Sequence, residues 1–204
     1  MDADLSKDQL KELYLPPTDE FVFVDVPRMK FFMADGEGSP DNESFEEAQR
    51  WLWAVVHPIR RLAKERMGRN FVEPPLEGLW WADDLDDFVA GSKEKLRWRL
   101  MVPTAEWVGS DMFAAALAEA RKKLGEPPGS LRLDHLEEGR SVQIMHVGSW
   151  EKEAARLTRR LHEEFLPAHG LAPNGRHHEI YLTDPRRTAP ENMRTVLRQP
   201  ICTA

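Results

Sequence analysis

Two carboxylates stand in aromatic company. Glu179 lies in HHEIYL (177–182), two residues before Tyr181, and Glu77 lies in PPLEGLWWADD (74–84), ahead of Trp80 and Trp81. A carboxylate walled by rings loses hydration and becomes more basic. Such a group suits a general base, or a counter-charge for a cationic aromatic ligand. On a strand, residues two apart share a face. His177, Glu179 and Tyr181 therefore point one way, and His178, Ile180 and Leu182 the other. With Ile180 and Leu182 packed under the helices, Glu179 and Tyr181 would face a groove; the pattern equally fits an exposed sheet face. By the same alternation Glu77, Leu79 and Trp81 share one side and Gly78, Trp80 and Ala82 the other, unless Gly78 marks a bulge. Without an internal repeat, a core tryptophan pair with Glu77 at its rim would be the plainer reading. With the repeat that the two halves form, Glu77, Trp80 and Trp81 are expected to line one wall of a ligand groove, with the Glu179 strand as its symmetry mate.

Other side chains are candidates for the walls of a pocket. In VQIMHVGSW (142–150), Met145 offers an adaptable apolar contact and His146 a polar one, and Trp150 at a helix entry is placed to close one end. Each of these also fits ordinary packing. Adjacent strand residues face opposite sides, so His177 and His178 are poor ligands for one ion. With no HExxH pattern or cysteine cluster, we expect no metal. No glycine-rich phosphate loop and no GxSxG elbow occurs, and no cofactor is expected.

These residues need a scaffold, and the periodicity supplies one. Residues 4–14 read as a short amphipathic helix ended by Pro16-Pro17. FVFVDVP (21–27) and RMKFFMADGEG (28–38) read as paired strands. A helix runs from Ser44, with Glu47 completing a capping box, to about Met67, and Pro58 should kink or divide it. The Glu77 strand, an acidic loop (DDLDDF) and a strand at 95–103 follow. A helix at 110–124 carries Phe113, Leu117, Ala120 and Leu124 on one face. SLRLDHLEEGRSVQIMHVG (130–148) reads as a hairpin turning at Glu137-Glu138-Gly139. A helix at 150–166 and strands at 176–184 and 193–201 complete the chain.

Each half thus reads hairpin, helix, acidic strand, loop, strand, which amounts to an internal repeat. The expected fold is α+β: two β-α-β-β units, about 20–104 and 129–201, linked by the helix at about 110–124. They would share a pseudo-twofold axis, a mostly antiparallel sheet, helices on one face and a ligand groove between the units.

Composition narrows the partners. The 204 residues carry a net charge of −7 with no long basic stretch, which argues against nucleic acid. Seven tryptophans against two tyrosines suggest flat apolar recognition surfaces, and core packing fits any single one equally. The acidic balance mildly favours a neutral or cationic small ligand. One cysteine, Cys202, excludes an intrachain disulfide. No apolar run approaches a membrane span and the N-terminus lacks a signal core, so the expected location is the cytoplasm. The sequence specifies no oligomeric state.

At PPLEGLWWADD, VQIMHVGSW and GRHHEIYLTDPRRTAPENMRTVLRQP, together with DLSKDQLKELYLPP and DVPRMKFFMADGEG, the chain resembles the GyrI-like small-molecule-binding family over nearly its full length. More narrowly it resembles the stand-alone branch that lacks a DNA-binding domain. The resemblance implies a duplicated β-α-β-β fold with a ligand groove at the pseudo-twofold axis. It also implies a central glutamate against which flat, often cationic, aromatic drugs are held, here Glu179. The stand-alone branch is linked to hydrolysis of cyclopropanoid genotoxins of the cyclopropyl-indole type through an aromatic–glutamate pairing, for which Glu179 and Tyr181 are the matching residues. Sequestration without chemistry and a gyrase-inhibitor-like protein interaction are the alternatives. The chain departs from the family pattern at Val56-His57-Pro58 and at Trp150.

Overall fold

The computed structural model describes residues 5–68, 74–83, 93–149 and 155–204. The elements are α1 (Lys7–Tyr14), β1 (Val22–Val26), β2 (Met29–Glu37), α2 (Glu43–Met67), β3 (Leu76–Trp81), β4 (Arg97–Thr104), α3 (Ser110–Leu124), β5 (Arg132–Leu136) and β6 (Gly139–Val147). α4 (Ala155–Arg160) then runs through a π-helical turn, Leu161–Phe165, into α5 (Leu166–Ala168), and β7 (Leu171–Pro173), β8 (His177–Tyr181) and β9 (Arg194–Thr203) end the chain. No helix among the described residues is long and apolar enough to cross a membrane.

The fold is α+β on an antiparallel sheet. Its strand order is β1-β6-β9-β8-β3-β4-β2-β5, with β7 paired to β9. The two acidic strands, β3 and β8, are neighbours at the centre. The expected hairpins do not form. β1 pairs with β6, and β2 with β5, in one register that runs from Val22 opposite Gln143 to Met33 opposite Arg132. The reason lies in the connections. A two-residue hairpin needs positive φ at its central positions. Pro27-Arg28 cannot supply it, since proline fixes φ near −65°. In the second segment the left-handed residue is Gly139 (φ 64°), which opens the next strand rather than sitting inside a turn. Each pair of strands therefore continues as an extended arm across the other.

Ser6 caps α1 and forms a capping box with Gln9. α2 is capped by Asn42, whose side chain accepts from the Phe45 amide at 2.9 Å; Ser44, the expected cap, lies inside the helix. Pro58 does not divide α2, which stays one element and ends at Gly68 with φ 63°.

Helices lie on both sheet faces, not on one. Phe45, Trp51, Leu52, Val55 and Ile59 of α2 pack with Trp80, Trp98 and Leu100, and α3 joins them. Leu161 and Leu166 cover Val142, Ile144 and Leu197 on the same face. The other face carries α1, where Leu13 and Tyr14 pack on Val24, Val26, Met145, Ile180 and Val196.

Candidate functional site

The sheet register decides what meets Glu179. On one side it lies opposite Gly78, and on the other opposite Leu197. Directly opposed strand residues share a face. Gly78, Trp80, His177, Glu179 and Tyr181 therefore share the face that bears α2 and α4–α5. His146, opposite Thr195 and so in line with Tyr181, shares it too. Ile180 packs under α1 rather than under the longer helices. Glu179 consequently stands at the seam between two apolar clusters, with Trp80 belonging to one and Leu197 to the other.

The carboxyl is 2% exposed and is held by a directed chain. Trp80 Nε1 donates to the Tyr181 hydroxyl at 2.9 Å, and Tyr181 donates to Glu179 Oε2 at 2.7 Å. The indole occupies the phenol oxygen, which directs the phenol proton at the carboxylate. The other oxygen, Oε1, lies 3.7 Å from His177 Nε2. Burial raises the Glu179 pKa to about 8, against the lowering effects of the Tyr181 bond and the His178 charge. Burial lowers His177 to about 3, with His162 and His178 adding to the effect, so its ring is neutral. His162, on the π-helical turn, sits with its ring 6.2 Å from that of His177.

Gly78 marks no bulge, because β3 keeps unbroken register with both β4 and β8. Its role is room. A Cβ there would lie 2.8 Å from Trp80 Nε1 and 3.2 Å from the Tyr181 hydroxyl, against the bond that directs Tyr181. Gly78→Ala is expected to cost about 1–3 kcal/mol, as overpacking does. Gly129→Ala, where a Cβ meets no atom within 4 Å, should change stability by less than about 0.5 kcal/mol. Urea denaturation of the two variants checks the contrast.

Three of the expected binding residues face away from Glu179. Glu77 opposes Ile180 and Met145 opposes Val196, which places both on the α1 face. Trp81 is on that second face as well, with the Arg176 guanidinium 3.4 Å over its ring. The expectation that Glu77 and Glu179 line one groove is therefore corrected: residues 77 and 179 lie on opposite sides of the sheet. The physical reason is register: across the central strand pair Glu179 lies opposite Gly78, so the two acidic strands are offset by one residue. Trp150 falls outside the described residues.

Glu77 instead joins a buried charge network. Tyr14 donates to Glu77 Oε1 at 3.0 Å, and His178 Nε2 lies 2.9 Å from Glu77 Oε2. His178 Nδ1 meets Glu138 Oε1 at 3.0 Å, and Arg198 Nη1 donates to Glu138 Oε2 at 3.1 Å. Arg198 also donates to the Leu13 carbonyl at 2.6 Å, and Gln143 to that of Glu12 at 2.7 Å. These carbonyls end α1 and have no partner within it. The cation at a helix C-terminus also complements the helix dipole. The proximity of Glu138 outweighs burial and raises His178 to about 9; His178 and Arg198 in turn outweigh burial at Glu138 and hold it at about 2.

The sequence profile of the GyrI-like small molecule binding domain matches residues 19–201. The chain belongs to the GyrI-like family. An uncharacterized conserved protein from Listeria innocua is 33% identical to this GyrI-like chain, with 96% of this chain and 98% of that one covered and a TM-score of 0.82. A hydrolase from Listeria innocua is 32% identical with the same coverage and a TM-score of 0.78. The C-terminal domain of EcmrR, 9% identical at a TM-score of 0.54 and covering 91% of this chain and 98% of that one, shares the fold. No curated protein matches the chain. The Glu179 site and the charge network on the opposite face also contain residues that no sequence pattern marks. His177 was assigned to the face of Glu179 but given no role. His162, Glu138 and Arg198 come from elements whose placement no local pattern reveals.

Proposed function

We propose that this GyrI-like chain binds a flat aromatic small molecule against Glu179 and hydrolyses it, with cyclopropyl-indole compounds as the substrate class. The observation that carries the reading is a buried carboxyl with a pKa of about 8, aimed by Tyr181 and Trp80. A hydrolytic role is supported by the 32% identity to a hydrolase spanning nearly both chains. The fold reading that accompanies it is two β-α-β-β units, about 20–104 and 129–201, related by a pseudo-twofold axis between β3 and β8. The strand order supports it, since β1-β6-β9-β8 and β5-β2-β4-β3 run inward to the same centre.

In the proposed reaction the substrate carries a strained cyclopropane conjugated to a dienone. Tyr181 holds Oε2, and Oε1 takes a proton from water. The water oxygen bonds to the unsubstituted cyclopropane carbon. The C–C bond breaks, and its electron pair moves to the dienone oxygen as the ring aromatises. Ring strain and aromatisation drive the step, so a positioned base worth on the order of 10²–10⁴ in rate suffices. Trp80 and His146 share the face on which the ligand would lie. Because Glu179 is 2% exposed, side chains over the carboxyl must move for substrate to reach it.

The base form is the minor one at neutral pH, so the single-turnover rate should rise with pH and level off above about 8. The test is single-turnover incubation of a cyclopropyl-indole compound in ¹⁸O-labelled water. Labelled, ring-opened product that vanishes with Glu179→Gln supports hydrolysis. Intact compound recovered after denaturation identifies a sequestering protein instead.

A further inference from the structure

α1 packs on one half of its sheet face. The other half, built by β3, β4, β2 and β5, has an apolar floor: Met33 and Met101 are wholly buried and Leu79 nearly so, with Trp81 packed against them. Three guanidinium groups gather there. Asp35 accepts from Arg99 Nε at 2.6 Å and from Arg99 Nη2 at 3.1 Å. From β5, on the other side of Asp35, Arg132 Nη1 lies 3.1 Å from Oδ2 and Nη2 donates to Oδ1 at 3.3 Å. One carboxylate thus serves two arginines. The third is Arg176, which precedes His177 and is next in register opposite Trp81. Its guanidinium lies 3.4 Å over the indole, a stacking contact that uses the face of the fork and leaves its N–H edges free. Among the described residues no carboxylate or carbonyl accepts from it.

We propose that Arg176 and Arg99 form a binding site for a small oxyanion, a carboxylate or a phosphate, on the sheet face opposite Glu179. The guanidinium fork matches two oxygens of either group in its own plane, and Trp81 fixes that plane for Arg176. Arg99 spends Nε and Nη2 on Asp35 and keeps Nη1 for the ligand. Arg132 is used up, since it also donates to the Ser130 carbonyl at 2.8 Å and meets the Met33 sulfur at 3.8 Å. Its part is to help neutralise Asp35, which would otherwise repel an anion. The other acids at this end of the face, Glu37, Asp83 and Asp134, are exposed, and Asp83 is taken by Arg97 at 2.8 Å. A half-buried cation beside two others is a cost to the fold that an anion relieves. Burial, then Arg99 and Arg132, lower the Arg176 pKa against the pull of Asp35. Three arginines around one aspartate stand out further in a chain of net charge −7. The site does not depend on the reaction proposed for Glu179, which lies on the other side of β8.

The test follows the Trp81 indole N–H in ¹H–¹⁵N spectra, as the signal that Trp81→Phe removes. Sodium phosphate and sodium acetate are titrated separately, with ionic strength held constant by sodium chloride. At least one of them should shift that signal saturably with a Kd on the order of 1 mM, the strength of a few charge-assisted hydrogen bonds at a half-open site. Saturation by one anion and not the other identifies the oxyanion that the site takes. Arg176→Gln should weaken binding at least about tenfold, the low side for a hydrogen bond to a charged group. Arg176→Lys keeps the charge and the stem but not the stacked fork, and should weaken binding at least about tenfold as well. Arg61→Gln, which breaks an exposed pair with Glu119 among the helices, should leave the Kd within about twofold. No shift beyond that of chloride, or a smaller loss in Arg176→Gln, overturns the site. Parent-like binding by Arg176→Lys overturns the fork, and it decides the matter where Arg176→Gln fails to fold.

Discussion

Glu179→Gln is expected to yield a protein that is inactive and more stable. The activity loss should be on the order of 10²–10⁴, the contribution of a general base. The stability gain follows from linkage. Glu179 has a pKa of about 8 in the folded chain against an ordinary 4.5. A carboxyl raised on folding binds its proton more tightly in the native state, so stability is fully present below the unfolded value and declines as pH rises toward the folded one. The slope is about 1.4 kcal/mol per pH unit. At pH 7 the carboxyl therefore costs the fold on the order of 3 kcal/mol, an upper figure that relaxation of the site reduces. Glutamine has the shape of the protonated acid, still accepts from Tyr181 and never ionises. The Tm of the variant should match the parent near pH 4.5, exceed it increasingly up to about pH 8, and keep a constant lead above that. A Tm difference independent of pH would mean that the carboxyl is not held in the dehydrated seam.

The second large effect belongs to the other face. Glu138→Ala is expected to destabilise the fold by about 3–5 kcal/mol, because removing one member of a buried charge network leaves the rest uncompensated. Glu138 joins His178 to Arg198, and both cations are 2% exposed or less. Without it Arg198 is also freed from the contact that aims it at the Leu13 carbonyl, so α1 should loosen first and lose its amide protection. The pH dependence has two limbs. Glu138, lowered to about 2, contributes stability that is complete above its ordinary 4.5 and lost as pH falls through about 2. His178, raised to about 9, contributes stability that is complete below its ordinary 6.5 and lost as pH rises through about 9. The gap between parent and variant in urea unfolding should accordingly be widest between about pH 4.5 and 6.5. A gap under about 1 kcal/mol there would show that the pairing merely repays desolvation.

The two effects have opposite signs at residues that neighbour one another through the sheet. His178 and Glu179 are consecutive on β8 and face opposite sides. One side stabilises a compensated set of charges against α1. The other keeps a carboxyl dehydrated, bonded to Tyr181, at a cost to the fold; carboxyls shifted by burial cluster at functional sites.

Much of this site was legible in one strand. The alternation in HHEIYL places His177, Glu179 and Tyr181 on a common face whatever the rest of the chain does, because the strand period of two is set by the backbone. Three long motifs in order were enough to suggest the family. Helix positions followed from the apolar period, since α1, α2 and α3 lie where that period runs. The pairing of β1 with β6 and of β2 with β5 was not legible, because adjacent alternating segments look the same whether they pair with each other or with distant strands. Only the missing positive-φ residue between positions 26 and 29 argued otherwise.

The tertiary structure decided what surrounds Glu179. A ladder of backbone hydrogen bonds is nearly indifferent to the side chains it aligns, so no local signal says that residue 179 will lie opposite 78 rather than 77. A shift of one residue would have set two carboxylates side by side and moved Trp80 to the far face. Packing of α1 on Ile180 and of α2 on Trp80 selects the observed register, and those contacts join separate elements, Leu13 to Ile180 and Phe45 to Trp80. Sequence alone determined which side chains of β8 share a face; long-range packing determined that a glycine, an indole and the His162 imidazole meet them there.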